Sequence, residues 1–436
     1  MTGVQTCALP ISAAAAVLFA ATAAGANAPA PAPTTPSATA PAAGTGAAFI
    51  HGEVTLRDGA TRTGFVRWRD EDAFWDDTFT ATQADPPWFA YADQQALGRD
   101  QRQQYYRSHG LLNRLAWAMH HRDEPARIRR PFVCRYGDLA ALRVPKDDDD
   151  DRPTVAVLRD GREVAIEEPS RDLGSDLLVY AGPGDPVELD WDEVREIRFT
   201  AAPPGAVPYA QRLAGTAEFA GGKLAGALQW DASECTSVDE LDGDEQDVPM
   251  ADVRRIARNR RGGCDVTLAD GRTVALSGTN DVGEGNRGAA VLVPGLGRVL
   301  VPWSRLLAAD LRTVPASSPA YGDFAAPRPL RGTVAMTDGR ALTGRLVHDL
   351  DESSTIDVLN GTLDGREYAI PFAAVAAIVP AGPGACEVTL RDGQRLTLSG
   401  DEDTGLGNAG VLVFGDGADQ PVYLPWSAVK RLDFAP

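Results

Sequence analysis

Cysteine and histidine are both scarce, with five of each in 436 residues. The cysteines are Cys7, Cys134, Cys235, Cys264 and Cys386, too few to staple a chain of this length into a disulfide scaffold. The histidines are His51, His109, His120, His121 and His348. His120 and His121 are adjacent, so on a helix they would point about 100° apart and could not share a metal as an i, i+4 pair does. The sequence also lacks a GxSxG nucleophile elbow, an HExxH pair and a GK[ST] phosphate loop. No catalytic residue, cofactor or metal ligand is therefore expected. Positive charge is in short supply too: 42 Lys and Arg against 61 Asp and Glu give a net charge of -19, which repels a nucleic-acid backbone and argues against that partner. Beyond residue 26 no run approaches the roughly 20 apolar residues of a membrane span, so no integral membrane segment is expected in the mature chain.

What is present begins oddly. Residues 1–12, MTGVQTCALPIS, resemble the translation of a common sequencing-library adapter read from a GTG start, and are expected to be an assembly artefact. Residues 13–26 continue as an apolar, alanine-rich run ending in Ala24-Gly25-Ala26, the h-region and cleavage zone of a signal peptide without its basic n-region. Residues 27–48 are Pro, Ala, Thr and Ser, a solvated linker. Export to a periplasmic or extracellular location is the expectation.

Internal repetition dominates the remainder. CDVTLADGRTVALSG from Cys264 returns as CEVTLRDGQRLTLSG from Cys386, and the likeness runs on through NDVGEGNRGAAVLV and EDTGLGNAGVLVF to VPWSRLL and LPWSAVK. A more distant copy runs from Thr154 to Phe199. Each of these type B repeats follows a type A repeat: GEVTLRDGATRTGFVRW from Gly52, GTAEFAGGKLAGALQW from Gly215 and GTVAMTDGRALTGRLV from Gly332. The chain divides into three A–B pairs, residues 49–200, 212–313 and 329–436, separated by connectors at Pro203-Pro204 and from Pro315 to Pro329.

Each repeat opens as a hairpin of alternating apolar residues around a Gly turn, usually Asp-Gly. Each closes on apolar residues three apart: Tyr136, Leu139, Leu142; Trp191, Val194, Ile197; Met250, Val253, Ile256; Trp303, Leu306, Ala309; Phe372, Val375, Ile378; and Trp426, Val429, Leu432. That spacing fits one 3₁₀ turn leading into a last strand. The outline resembles an SH3-like or Sm-like small β-barrel. Through GFVRWRDEDAFWDD after Gly64 and the two DxGxGNxG loops with their PWS endings, the chain also resembles secreted bacterial proteins of unknown function that carry such barrels in tandem. The resemblance implies a mainly β fold of six barrels in three tandem pairs, and no catalytic residues. One small barrel is marginal alone, so the pair is expected to be the folding unit, and a row of pairs to make a stiff rod or arc.

Five features invite a functional reading. The loops Asn280–Asn286 and Asp401–Asn408 are the small-ligand candidates: Asp401-Glu402-Asp403-Thr404-Gly405 places carboxylates at alternate positions before a glycine, as calcium loops do, while the matching copy has Thr279 and Asp281 there, one charge fewer. The structural alternative, which is favoured, has Asp281 and Asp403 bonding their own turn amides and the glycines in left-handed conformations. The run Lys146 to Arg152, KDDDDDR, suits a solvated linker. Trp191, Trp303 and Trp426, like Trp68 and Trp230, recur at fixed places and are expected to be core anchors. Finally, residues 76–131 interrupt the first type A repeat with an insertion of helical composition, rich in arginine (Arg99, Arg102, Arg107, Arg114, Arg122, Arg127, Arg129, Arg130) within an acidic protein. It either folds back on its own chain or meets a partner. The expected function is an exported, non-catalytic scaffold or protein-binding protein. An alternative is a cell-envelope module that recognises peptidoglycan or polysaccharide, and an enzyme of unknown class stands third. Long-read sequencing of the source locus is expected to show an upstream start with Lys or Arg before the alanine run and no codons for MTGVQTCALPI.

Overall fold

The Asp-Gly hairpins set the local geometry. In five of the six repeats the aspartate carboxylate accepts the amide two residues on, as Asp58 does from Ala60 (2.7 Å) and Asp392 from Gln394 (2.8 Å), and the next glycine takes a positive φ near 90°. The sixth tip, Gly221-Gly222, uses glycine alone, with φ +99° at Gly221. Such a turn with a bulged glycine matches the twist of the strands it joins.

The computed structural model describes residues 46–92 and 129–436, apart from 70, 85, 146–152, 168–171, 183, 317, 383, 401 and 406, and these belong to one compact unit. The adapter-like peptide, the signal remnant, nearly all of the linker, the KDDDDDR run, His109, His120, His121 and the helical part of the insertion lie outside the described residues. What is described is mainly antiparallel β.

The first pair has strands β1 His51–Leu56, β2 Thr61–Trp68, β3 Thr78–Ala84, β4 Arg129–Arg135, β5 Leu139–Arg143, β6 Thr154–Leu158, β7 Glu163–Glu167, β8 Leu177–Tyr180, β9 Val187–Leu189 and β10 Val194–Phe199. The second has β11 Arg212–Phe219, β12 Gly222–Trp230, β13 Glu240–Leu241, β14 Val248–Pro249, β15 Val253–Arg258, β16 Cys264–Leu268, β17 Thr273–Leu276, β18 Ala289–Val293, β19 Gly297–Val301 and β20 Leu306–Val314. The third has β21 Arg331–Met336, β22 Ala341–His348, β23 Val358–Leu363, β24 Arg366–Pro371, β25 Val375–Pro380, β26 Ala385–Leu390, β27 Arg395–Ser399, β28 Val411–Phe414, β29 Val422–Leu424 and β30 Val429–Phe434.

Pairing is the same in the first and third pairs and crosses the repeat boundary. The order β4-β3-β7-β6-β5-β10-β1-β2-β8-β9 returns as β24-β23-β27-β26-β25-β30-β21-β22-β28-β29. The second pair follows it, except that β13 and β14 form their own two-stranded sheet. The type A hairpin β21–β22 is thus completed by β28, β29 and β30 of type B, while β23, β24 and β25 of type A complete the type B hairpin β26–β27. One half of each pair is a contiguous stretch nested inside the other. No single repeat therefore forms a barrel of its own, and among the described strands no pairing closes either half. The fourth strand of a half runs into the turn that redirects the chain, so the fifth joins at the far side of the first. Five of these turns are 3₁₀ helices beginning at Tyr136, Trp191, Met250, Phe372 and Trp426; at Trp303 the chain makes a hydrogen-bonded turn instead.

The glycines shared by all type A repeats follow from this packing. Gly52 faces Gly64 across β1–β2, Gly215 faces Gly226 and Gly332 faces Gly344. A β-carbon on Gly226 would fall 2.0 Å from the Leu292 carbonyl oxygen of β18, and one on Gly215 2.0 Å from that of Asp310 on β20. The strand-end triplets fill the cores: Leu139, Leu142, Val194, Ile197, Val253, Ile256, Val375 and Ile378 are all fully buried.

Two further expectations need correction. The insertion does not start at residue 76 or end at 131, because Thr78–Ala84 and Arg129–Arg135 are paired strands, with Ala84 opposite Arg129. Nor do the pairs form a rod with only nearest-neighbour contacts. β19 pairs with β24, joining the second and third pairs in one sheet, and the first pair touches both. Arg67 meets Asp239 at 2.5 Å and Arg212 meets Asp76 at 2.8 Å, linking first to second, while Arg130 reaches Asp349 at 3.5 Å, linking first to third. Because each half draws strands from both repeats, residues 383–436 expressed alone are expected to be unfolded by circular dichroism, whereas residues 329–436 should melt in one cooperative transition.

Candidate functional site

Each pair has one segment that carries the chain from its outer half to its inner half, and these three segments face the joints between pairs. Their sequences are WRDEDAFWDD from Trp68, WDASECTSVD from Trp230 and HDLDESSTID from His348. The last aspartate of each holds the turn. Asp77 accepts the amides of Ala73 and Phe74, Asp239 those of Cys235 and Thr236, and Asp357 those of Ser353 and Ser354, all at 2.7–2.9 Å. The segments begin with positive φ at non-glycine residues, 50° at Arg69, 50° and 53° at Asp231 and Ala232, 48° and 66° at Asp349 and Leu350, a conformation that hydrogen bonding must stabilise. At Asp231 and Asp349 the side chain does so, accepting the amides of Arg287 and Ala409.

The residue that opens each segment ties it to the opposite loop. The indoles of Trp68 and Trp230 donate to the carbonyls of Asp172 and Asp281. His348 occupies the same place in the third pair and is completely buried. Asn408 donates from Nδ2 to both the Asp403 carbonyl (2.9 Å) and His348 Nε2 (3.2 Å), and its Oδ1 accepts from Gly410. Nε2 is therefore an acceptor, and Nδ1 carries the proton it donates to Glu352 at 3.2 Å. Burial holds His348 down to a pKa of about 3, so the ring stays neutral, and burial also pushes Glu352 up.

The aspartates of the acidic loops do not bond their own turn amides as expected. Asp281 accepts the amide of Asp242, and Asp403 that of Asn360 at 2.6 Å, each from the nested half and not from its own turn. The positive-φ glycines are Gly288 and Gly410, just past the asparagines. Trp68, Trp230, Trp191 and Trp303 are buried, whereas Trp426 is only half-buried at the edge of its core. His51 bonds Thr200 through Nδ1 at 3.1 Å, far from His348 in the chain and in a different pair. Cys134, Cys235, Cys264 and Cys386 are buried free thiols, pushed up in pKa by burial.

Where the three pairs meet lies a cavity of about 550 Å³. Its wall takes Asp72 and Asp172 from the first pair, Gln229 and Arg298 from the second, and Tyr368 and Asp403 from the third. A second cavity, about 340 Å³, opens between the first and third pairs beside Trp88, Arg345 and Asp351. Sequence inspection missed both, since they arise from contacts between distant segments. It could have found the turn-holding aspartates: each stands nine positions after the Trp or His that opens its segment. No family model, curated protein or solved structure matches the chain.

Burial dominates the electrostatics of these joints. It raises Asp77, Asp357 and Asp403 to about 6. Glu234 goes to about 9, through burial first and the nearby Asp281 second, and its Oε2 has no partner. A carboxyl whose folded pKa is raised keeps its proton where the unfolded chain has released it, so its contribution falls as pH rises from 4.5 to about 9. Glu234→Gln is therefore expected to match the native melting temperature near pH 4.5 and exceed it at pH 8, by an amount equivalent to roughly 1–3 kcal/mol. Calorimetry at the two pH values checks both the sign and its growth with pH.

Proposed function

We propose that this is an exported, non-catalytic binding protein whose six half-sheets, SH3-like or Sm-like in strand order, form a scaffold for the arginine-rich insertion that meets a macromolecular partner. The observation that carries the reading is the placement of the insertion. β3 and β4 are paired to their ends, Ala84 opposite Arg129, and β4 is the outermost strand of its sheet, so the insertion leaves from the tip of an edge hairpin. The other two pairs span the same place with short links, Asp364-Gly365 between β23 and β24 and residues 242–247 between β13 and β14. A long segment that the sheet does not require, on a rigid support, is where binding residues concentrate.

The base of the insertion is fastened. Phe89 packs against Val347, Leu350 and Leu412 of the third pair, and Arg345 lies 5.1 Å from the ring of Trp88. Tyr91, 39 % exposed, stands 6.5 Å from Trp88, and this half-open aromatic pair supports the alternative of a cell-envelope polymer, whose sugar rings stack on such faces.

Replacing residues 93–128 by a short Gly-Ser linker keeps the hairpin and the Phe89 anchor. The variant is expected to melt within a few degrees of the native protein and to lose the salt-sensitive capture of a partner from the envelope fraction, since guanidinium contacts weaken as the screening length drops below about 10 Å. Retained sedimentation with purified peptidoglycan would favour the polymer reading. Unfolding of the first pair would make the insertion a brace and end the proposal.

A further inference from the structure

One position recurs in the fourth strand of every outer half. Val187 opens β9 opposite Val179, Val299 lies in β19 opposite Val291, and Val422 opens β29 opposite Val413. The residue and its place in the sheet are the same in all three pairs, yet its surroundings are not. Val299 is fully buried, because β24 pairs along the outer edge of β19, sets Tyr368 opposite the valine and takes it into the core of the third pair. Val187 and Val422 are 46 % and 50 % exposed, and among the described residues neither β9 nor β29 has a strand on its outer edge. An open edge with an apolar side chain standing in water is a template for strand addition, and β24 on β19 shows the form such an addition takes in this molecule.

The strand that covers Val299 comes from another copy of the repeat. Once the three pairs of one chain are placed, the next copy is on a second chain. In that second chain β24 is already taken by β19, its counterpart β4 faces the third pair through Arg130, and its counterpart β14 is two residues long. The open edges β9 and β29 remain. Their middle residues separate them: Leu300 on the covered β19, Tyr423 on β29, and Glu188 on β9 with Asp185 and Asp190 nearby. Glu188 would meet its own copy in a β9–β9 pair, where like charges repel, and against β29 it would find Tyr423 and no cation. A charge at the centre of an edge strand is one way in which sheets keep other strands off. β29 is Val422-Tyr423-Leu424 between two prolines and carries no charge.

We propose that two copies of this chain join edge to edge through β29, antiparallel about a two-fold axis at Tyr423, so that Val422 of each copy lies opposite Leu424 of the other. Pro421 and Pro425 bound the strand and cannot donate to a ladder, which leaves this register as the one that uses all three residues. The contact is isologous and closes at two copies. Its axis stands perpendicular to the sheet, so each side of the joined sheet is built from the same side of both copies. Tyr423 shares its side with Trp88 and Phe89, the anchors at the base of the insertion. The dimer thus presents two insertions on one side, and a partner with repeated sites is held by both. That consequence rests on the reading of the insertion given above, whereas the dimer itself does not.

Sedimentation velocity of the full chain over a concentration series tests the joint. Three residues a side make a small contact, so a reversible monomer–dimer equilibrium is expected. Val422 is exposed, so V422K should fold and weaken dimerisation roughly tenfold or more, because two lysines then crowd one axis. V187K sets the same charge at the equivalent position of β9 and should dimerise as the native chain does. V422E should weaken the dimer like V422K, and an equimolar mixture of the two variants should recover it, since positions 422 of the two copies are diagonal neighbours within reach of long side chains. A monomer at every concentration reached, a dimer that V422K leaves unchanged, equal loss in V187K and V422K, or a mixture no better associated than its parts overturns the proposal. So does loss of the dimer when residues 93–128 are replaced by a linker, because the insertion would then be the joint.

Discussion

An aspartate accepting two successive backbone amides holds the point at which each pair changes halves. Asp77, Asp239 and Asp357 stand at the end of the crossing segment, and without them the chain would have no reason to leave the outer hairpin at that angle. Everything downstream depends on that departure. The next two strands extend the nested half, the 3₁₀ turn brings the fifth strand back, and the type B hairpin lands beside it. Burial makes such a carboxylate costly to ionise and the two amides offset part of that cost, so Asp77 and Asp357 sit at about 6.

The same segments also join the pairs. Asp76 and Asp77 receive Arg212, Asp239 receives Arg67, and Asp349 receives Arg130. Arginine suits these places because its planar fork can serve a carboxylate while its stem packs on apolar surface, as Arg212 does over Phe74 at 4.3 Å. Buried pairs of this kind add little net stability over an apolar contact, but they fail badly when one partner is lost, so they fix which faces meet. The acidic excess of the chain thus has a local meaning: carboxylates crowd where pairs meet, and arginines arrive from the neighbouring pair.

Much of this was legible in the sequence, for a physical reason that also marks where legibility stops. Asp-Gly tips, alternating apolar residues and triplets such as Tyr136, Leu139 and Leu142 act over a few positions, so the hairpins, the turns and the buried tryptophans Trp68 and Trp230 could be placed from spacing alone. Partner choice between hairpins is a long-range matter. Nothing local in ALTGRLVH says that β22 lies against β28 and not β23, and a repeat in the sequence suggests the wrong unit because the boundary of the repeat is not the boundary of the sheet. The acidic loops show the same limit. Asp281 and Asp403 accept amides of the other half and not those of their own turns, a choice of partner that no local pattern specifies. The cavity had no sequence signal, since Asp72, Gln229 and Asp403 meet only after all three pairs are assembled.

The nested order also imposes a schedule on synthesis. In the third pair Thr362 and Ser399, 37 positions apart, already complete the contiguous half, so it can form as soon as its last strand emerges. The outer half must wait, because Gly332 finds Phe434 only when β30 has emerged. Until then its first hairpin has an open edge on both sides, β21 lacking β30 and β22 lacking β28, a state in which unpaired strands recruit other chains. Secretion machinery that holds a chain extended until it has crossed the membrane would spare this protein that interval, and translation in an open cytoplasm would prolong it.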